Sequence, residues 1–115
     1  MENCIFCKIA RHEIPAKIVF ENEKIIAFHD LKLAAKIHVL VIPKQHSAYL
    51  HEMSTSELSI MPELFMGIQK VAHTLNIANS GYRVLINNGK DAGQEIFHVH
   101  AHVLGGEKLG PLNLR

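Results

Sequence analysis

Short apolar runs separated by polar breaks predict β-strands in the first half of the chain. Residues 17–21 and 24–29 carry β-branched and aromatic side chains on either side of the polar break Glu21-Asn22-Glu23, so we expect a hairpin. Residues 37–42 are almost continuously apolar and end at Pro43, whose missing N–H cannot continue a central ladder. This run predicts a buried strand.

The spacing of apolar positions changes to that of a helix after Ser54. Ser54 and Glu57 have the spacing of a capping box, and apolar side chains follow at helical intervals as far as Leu75. One long amphipathic helix is therefore expected. Pro62 lies inside it and predicts a kink or a restart, because proline removes a backbone hydrogen bond. A brief helical or irregular segment is expected at residues 8–13.

Two further strands are predicted in the last third of the chain, at residues 82–86 and 96–104. The loop between them, residues 87–94, contains glycines that allow positive φ. Together the elements predict an α+β fold, with an antiparallel meander sheet of about five strands, one long helix and a short N-terminal helix. No repeat, low-complexity tract or linker interrupts the sequence, so residues 1–115 are expected to form a single domain.

Composition and charge narrow the range of partners. Hydrophobic residues make up 48% of the chain and the formal net charge is +1, which gives no electrostatic reason for a nucleic-acid or membrane-surface partner. The N-terminus lacks the basic and long apolar regions of a signal peptide, and no apolar run approaches membrane-spanning length. We therefore expect a cytoplasmic protein, in which Cys4 and Cys7 stay reduced as a metal or redox pair.

Histidine is the unusual residue type, with nine in the chain. His98, His100 and His102 alternate with apolar residues, and in a strand this alternation sends all three to one face. Successive imidazoles would then lie roughly 6.6 Å apart, close enough to serve one ligand. A single strand histidine is usually solvated or satisfied, but three in register beside a glycine-containing loop indicate a functional site.

The remaining motifs limit the chemistry that these histidines can support. The sequence has no Gly-x-x-x-x-Gly-Lys-Ser/Thr loop and no acidic cluster suited to magnesium, so neither a P-loop reaction nor two-metal hydrolysis is supported. Imidazole is a good nucleophile toward phosphorus and exchanges a proton near neutral pH. It also ligates zinc. The histidines themselves are therefore expected to carry the chemistry.

The last strand also carries a family resemblance. Residues 93–104, Gly-Gln-Glu-Ile-Phe-His-Val-His-Ala-His-Val-Leu, resemble the His-x-His-x-His motif of the histidine-triad (HIT) superfamily, in which x is apolar. The sequence is similar to the small HINT branch, in order and spacing, at residues 13–17, 27–30, 38–44 and 81–84. The resemblance implies a HIT-like fold and a hydrolase that acts at the α-phosphate of nucleoside 5'-phosphate conjugates, of the purine nucleoside phosphoramidase type.

The resemblance also assigns catalytic roles. His100 matches the family nucleophile, which would form a nucleotidyl-histidine intermediate that water then attacks, while the main-chain carbonyl of His98 orients its ring. His102 and His38 match residues that contact phosphate and assist proton transfer. No catalytic metal is required. From the sequence alone, His38 could instead be a core histidine bonded to a carbonyl.

The nucleotide-binding residues that the resemblance implies form a base pocket, a ribose contact and a phosphate site. Asp30 matches the carboxylate that accepts hydrogen bonds from ribose hydroxyls, and His29 matches a main-chain contact beside it. Asn87 and Gln94 match polar phosphate-site residues. The apolar walls match Ile5, Phe6, Ile9, Ile14, Phe28, Leu31 and Leu40. Without the resemblance, these polar residues would be assigned to turns and the apolar ones to the core.

Similarity to cysteine-bearing HIT proteins implies a structural zinc bound by Cys4, Cys7, His46 and His98. A Cys-x-x-Cys pair alone is a weak indication of a metal site, because a tetrahedral site needs two more ligands. The two histidines would supply them. The alternative is a pair of small buried thiols with His46 on the surface. A thioredoxin-like redox role would need a βαβ context, but the pair precedes every predicted strand.

The resemblance further implies a homodimer built through the long helix and the strand at residues 82–86, where an open apolar edge invites pairing. Two other functions stay open, a dinucleoside polyphosphate hydrolase and a nucleotide-binding adaptor with little catalysis. Glu95 stands where the best-studied eukaryotic members have a hydroxyl residue near the leaving group, although acidic residues there also resemble bacterial members. The leaving group and the choice between adenine and guanine are therefore left open.

Overall fold

A computed structural model describes residues 3–112 and contains one five-stranded antiparallel sheet. Its strands are β1 (Ile18–Glu21), β2 (Ile25–His29), β3 (Ile37–Pro43), β4 (Tyr82–Leu85) and β5 (Ala101–Gly105), in the spatial order β1-β2-β3-β5-β4. The first three strands form the predicted meander, and β5 then inserts between β3 and β4. The predicted α+β class, with five antiparallel strands, is confirmed.

Three helices accompany the sheet, namely α1 (Ile5–Ala10), α2 (Thr55–Leu58) and α3 (Met61–Thr74). The side chain of Ser54 accepts a hydrogen bond from the Glu57 N–H, and the Glu57 carboxylate accepts one from the Ser54 N–H, which is the predicted capping box. The helix that this box begins is only four residues long. The helix then restarts as α3 at Met61, which is one of the two outcomes that Pro62 predicted, because Pro62 lies in the first turn of α3, where its missing N–H costs nothing.

The central strands are apolar on both faces because both faces of the sheet are covered. On one face, Ile25 and Ala27 of β2 pack with Val39 and Val41 of β3 against α3. On the other face, Ile26, Phe28, Leu40 and Ile42 pack against Phe6, Ile9 and Ala10 of α1. Alternate residues of each strand therefore belong to different cores. This explains why residues 37–42 are almost continuously apolar in sequence.

The last strand is shorter than predicted. Residues 96–100 have no strand pairing, and β5 begins at Ala101, so only the third histidine of the triad lies in a regular strand. The Val99 N–H donates instead to the carbonyl of Ser47 at 2.7 Å, which holds this segment against the loop after β3. The N-terminal helix also begins earlier than the predicted segment at residues 8–13, at Ile5. Within residues 3–112, no helix has the length and apolar character needed to cross a membrane.

Candidate active site and metal centre

A cavity of about 520 Å³ opens beside the face of the sheet that α1 covers. His38, His100 and His102 line it, together with every residue assigned above to nucleotide binding: Ile5, Phe6, Ile9, Ile14, Phe28, His29, Asp30, Leu31, Leu40, Asn87 and Gln94. These residues come from four separate parts of the chain, and the fold brings them together. Leu31 is 93% exposed, so it lies at the rim of the cavity and forms no closed wall.

Sequence reasoning missed part of the lining. Pro15, Ala16, Lys17, Lys32, Gly93 and Ile96 also border the cavity, as does Glu95. Lys17 and Lys32 put cationic groups there, and Glu95 adds a carboxylate. Their position along the chain could have identified them, because each lies within three positions of a residue that was assigned to the site.

The side chain of His98 does not line the cavity. It is 0% exposed, and its Nε2–H donates to the carbonyl of Pro43 at 2.7 Å. The prediction that three imidazoles share one face assumed a continuous strand, but the backbone of residues 98–100 is not in one. Burial lowers the pKa of His98 to about 4, so the ring is neutral and its Nδ1 atom carries a lone pair.

His100 is held so that one ring nitrogen stays free. Its Nδ1–H donates to the main-chain carbonyl of His98 at 2.7 Å, which leaves the lone pair on Nε2. The ring is 5% exposed and meets Phe6 edge to face, with 5.0 Å between ring centroids. Burial lowers the pKa of His100, because desolvation disfavours the imidazolium form. A neutral imidazole with a free Nε2 lone pair is the nucleophilic form of this residue.

His38 and His102 form a hydrogen-bonded pair across neighbouring strands of the sheet. The Nε2 atom of His38 lies 2.8 Å from Nδ1 of His102, and 3.4 Å from a carboxylate oxygen of Asp30. The ring centroid of His102 is 4.9 Å from that of His100. Burial lowers the pKa of His102 to about 4, and the neighbouring rings of His100 and His38 add to the shift. This set therefore places oriented imidazoles beside one carboxylate.

Asp30 and Gln94 already make hydrogen bonds within the protein. One Asp30 carboxylate oxygen accepts from the Lys32 N–H at 2.9 Å. The amide group of Gln94 donates to the carbonyls of Ala48 and Ile96 at 2.9 and 3.1 Å, while its oxygen accepts from the Gly89 N–H at 2.7 Å. Gln94 therefore fixes the loop before the triad.

A second cluster lies behind the cavity, where Cys4, Cys7, His46 and His98 bring one ligand atom each to within 4.8 Å of one another. The Nδ1 atom of His98 is 3.3 Å from the Cys4 sulfur and 3.6 Å from the Cys7 sulfur, and Nδ1 of His46 is 3.4 Å from the Cys7 sulfur. Usual zinc bond lengths place the ligand atoms of a tetrahedral site roughly 3.4–3.8 Å apart. The spacing and the donor set therefore fit a zinc ion.

Three comparisons place the chain among known proteins. Residues 11–109 match the family model for the HIT domain. Protein HitA of Neisseria gonorrhoeae is 39% identical over 105 residues, which is 91% of this chain and 97% of that protein. The purine nucleoside phosphoramidase of Escherichia coli is 36% identical over 111 residues, or 96% and 93% of the two chains. A HIT family hydrolase from Clostridium thermocellum has a solved structure that matches with a TM-score of 0.94, at 46% identity over 99% of each chain. The predicted family is confirmed, and this chain belongs to the HIT domain family.

Proposed function

We propose that this protein hydrolyses nucleoside 5'-phosphate conjugates at the α-phosphate, in the manner of a purine nucleoside phosphoramidase. The observation that carries the proposal is the hydrogen bond from His100 Nδ1–H to the carbonyl of His98, at 2.7 Å, which leaves Nε2 as a nucleophile in the cavity. The Escherichia coli relative named purine nucleoside phosphoramidase and the hydrolase structures of the family support the reaction class.

The reaction has two displacements at phosphorus. In the first, His100 Nε2 attacks the α-phosphorus and the bond from phosphorus to the conjugate's nitrogen breaks, so the amine leaves with a proton. In the second, water attacks the phosphoimidazole and the bond to His100 breaks. This step returns the proton and releases the nucleoside monophosphate. His102 contacts a phosphate oxygen, and the hydrogen-bonded pair of His38 and His102 supplies the amine's proton in the first step and takes up the water's proton in the second.

The cavity has the size and chemistry for a nucleotide. Its volume of about 520 Å³ lies within the ordinary range for small-molecule pockets. Phe6, Ile9 and Phe28 provide apolar surface for the base, and such surfaces grip by shape and stacking with little discrimination between bases. Asp30 carries a carboxylate at the same cavity, which suits the ribose hydroxyls. The name of the Escherichia coli relative supports a purine.

Turnover of an adenosine phosphoramidate, measured beside a diadenosine polyphosphate, tests the proposal. We expect faster hydrolysis of the phosphoramidate, and a rapid quench should recover labelled nucleotide on His100. His100→Ala should abolish turnover while the variant still binds the nucleotide, and His73→Ala, at an exposed position of α3, should change neither. Preferred cleavage of the polyphosphate would point to that hydrolase class instead. Binding without turnover of either compound would indicate an adaptor.

Zinc bound by Cys4, Cys7, His46 and His98 is the second part of the proposal. A hydrogen bond to the Pro43 carbonyl supports this zinc site. The carbonyl accepts the Nε2–H of His98, which leaves the His98 Nδ1 atom as the ligand atom that faces both sulfurs. Burial raises the pKa of the Cys7 thiol, and a bound cation would offset that effect by stabilising the thiolate. Free thiols that serve as ligands fit a reducing compartment such as the cytoplasm.

The zinc would be structural, because its ligands are buried or half-buried behind the cavity and a tetrahedral set of four leaves no open position. Protein purified without added zinc should contain nearly one equivalent, and Cys4→Ser/Cys7→Ser should lose it and melt at a lower temperature. His51→Ala, outside the cluster, should keep the metal. Metal-free wild-type protein whose melting temperature does not respond to zinc would overturn this assignment.

A homodimer through α3 and β4 is the third part. Strand β4 is an edge of the sheet, and Tyr82 and Val84 on it are 37% and 38% exposed. Phe65 on α3 is 57% exposed, so helix and strand together offer apolar surface to a second copy. Light scattering should give about twice the 12.9 kDa chain mass. Val84→Lys should weaken the dimer while Leu33→Lys should not, and a monomeric wild-type protein at micromolar concentration would exclude this arrangement.

A further inference from the structure

We propose that the main-chain amide of Ala34 sets the tautomer of His102 through His38, so that His102 presents an Nε2–H donor to the substrate. Ala34 is thus a positioning residue, which acts at a distance through two imidazoles. The identity of the acceptor, a phosphoryl oxygen, rests on the proposed function. The tautomers of His38 and His102 do not rest on the proposed function, because they are properties of the protein without substrate.

The first step is the contact between Ala34 and His38. The Ala34 N–H donates to Nδ1 of His38, with 3.1 Å between the nitrogens. A ring nitrogen that accepts a hydrogen bond carries no proton, so the proton of neutral His38 is on Nε2. Asp30 favours the same form, because its carboxylate oxygen lies 3.4 Å from His38 Nε2 and is an acceptor. Two independent groups therefore select one tautomer.

The second step passes this choice to His102. His38 Nε2–H lies 2.8 Å from Nδ1 of His102, which must accept, so the proton of His102 is on Nε2. The opposite arrangement is unfavourable. A protonated Nδ1 on His38 would place two donors face to face at the Ala34 N–H, and the Nε2 lone pair would face another acceptor, the Asp30 carboxylate. Burial also lowers the pKa of His102 to about 4, which keeps its ring neutral near pH 7.

The third step identifies what the Nε2–H of His102 is for. This atom is buried and has no hydrogen-bond partner among residues 3–112. An unpaired buried donor is costly, so it calls for a partner, and a ligand in the adjoining cavity can supply one. His102 lines the cavity, and its ring centroid is 4.9 Å from that of His100. The two rings therefore hold opposite tautomers, with a lone pair on His100 Nε2 and a donor on His102 Nε2.

This difference suits attack at phosphorus. The free lone pair of His100 is directed to the phosphorus atom, while a neighbouring N–H stabilises the negative charge on a phosphoryl oxygen. If His102 held the other tautomer, a second lone pair would face that oxygen and repel it. Selection by a main-chain amide is also robust, because no side-chain substitution at position 34 other than proline removes the donor.

Nitrogen-15 NMR of histidine-labelled protein near pH 7 tests the tautomers without substrate. We expect lone-pair nitrogens at Nδ1 of His38 and His102 and a protonated Nε2 in both, with the reverse pattern in His100. A protonated Nδ1 in His102 would overturn the proposal. Signals are assigned with His38→Gln and His102→Gln variants, each of which lacks one set of resonances. This outcome is independent of whether the protein turns over a phosphoramidate.

An amide-to-ester replacement tests the role of Ala34 directly. Lactic acid in place of Ala34 removes only the N–H, and the corresponding ester at Leu33, whose N–H makes no hydrogen bond among the described residues, is the matched control. We expect the Ala34 ester to mix the His38 and His102 tautomers and to lower kcat roughly tenfold, the scale of one lost hydrogen bond, with a smaller change in KM. Unchanged tautomers in a folded Ala34 ester would refute the relay.

Discussion

Phe6 connects the N-terminal helix to the nucleophile, and truncating it should damage both stability and catalysis. Its side chain is 6% exposed, and its ring lies edge-on to Phe28, His98 and His100, with centroids 5.6, 5.9 and 5.0 Å apart. Removing a buried phenylalanine typically costs 3–5 kcal/mol. Because this ring also borders the cavity, part of the space it vacates opens to solvent, so we expect Phe6→Ala to lose about 3 kcal/mol.

Such a loss is large against the 5–15 kcal/mol that separates most folded domains from their unfolded state. Urea unfolding should detect it as a lower midpoint at unchanged slope, and the melting temperature should fall on the order of 10 °C. We also expect KM for the nucleotide to rise, because Phe6 forms apolar wall, and kcat to fall several-fold, because the His100 ring loses the contact that limits its rotation.

Two controls separate packing from indirect effects. Phe6→Leu keeps most of the apolar volume and should cost about 1 kcal/mol with nearly normal kcat. Phe97→Ala removes a phenylalanine that is 51% exposed and outside the cavity, and should cost less than about 1 kcal/mol. Phe6→Ala with wild-type stability and wild-type kcat would mean that α1 is not docked against the triad as described.

Three further predictions concern other parts of the molecule. Gly67→Ala should destabilise the protein by about 1 kcal/mol, because its Cβ would lie 2.5 Å from Ile25 Cδ1, and Ile25→Val should relieve the effect in a double-mutant cycle by urea unfolding. Glu95→Gln removes a carboxylate from the cavity lining. The ratio of kcat/KM for an anionic diadenosine polyphosphate to that for a phosphoramidate with a cationic amine should therefore rise about two- to fivefold. An unchanged ratio would contradict this. Burial raises the pKa of Glu21, but hydrogen bonds from Lys44 and His12 outweigh it and lower the pKa overall. The resulting stability is present above the usual glutamate pKa of 4.5 and disappears as pH falls through the lowered value, so wild type and Lys44→Met should differ in stability at pH 6 and converge at low pH.

Much of the fold could be predicted because local patterns and tertiary packing agree. The apolar run at residues 37–42 is buried on both faces, and the hairpin before it forms where β-branched residues flank a polar break. The nucleotide-binding residues that the family resemblance implies all border one cavity, although they do not make up the whole of its lining. Periodicity alone would have assigned Phe28 and Leu40 simply to a core.

What could not be predicted depends on contacts between distant segments. The sequence alternation at residues 97–102 is compatible both with a strand and with the irregular segment that occurs, and contacts from distant segments hold the irregular form, among them the hydrogen bond from the Val99 N–H to the Ser47 carbonyl. His98 consequently turns away from the cavity toward Cys4 and Cys7. The Ala34 amide is invisible to sequence reasoning, because every residue except proline carries that donor.

The central position of β5 determines when during biosynthesis the protein can become active. Among the described strands β5 comes last along the chain, yet it lies between β3 and β4, so neither of those strands has its full set of hydrogen-bonded neighbours until residues 101–105 have been made. Cys4 and Cys7 are made more than 90 positions before His98, whose ring they contact in the folded protein. A nascent chain therefore exposes incomplete sheet edges and unpaired thiols until β5 has been made, and His98 and His100 reach their positions together in one late and highly non-local folding step.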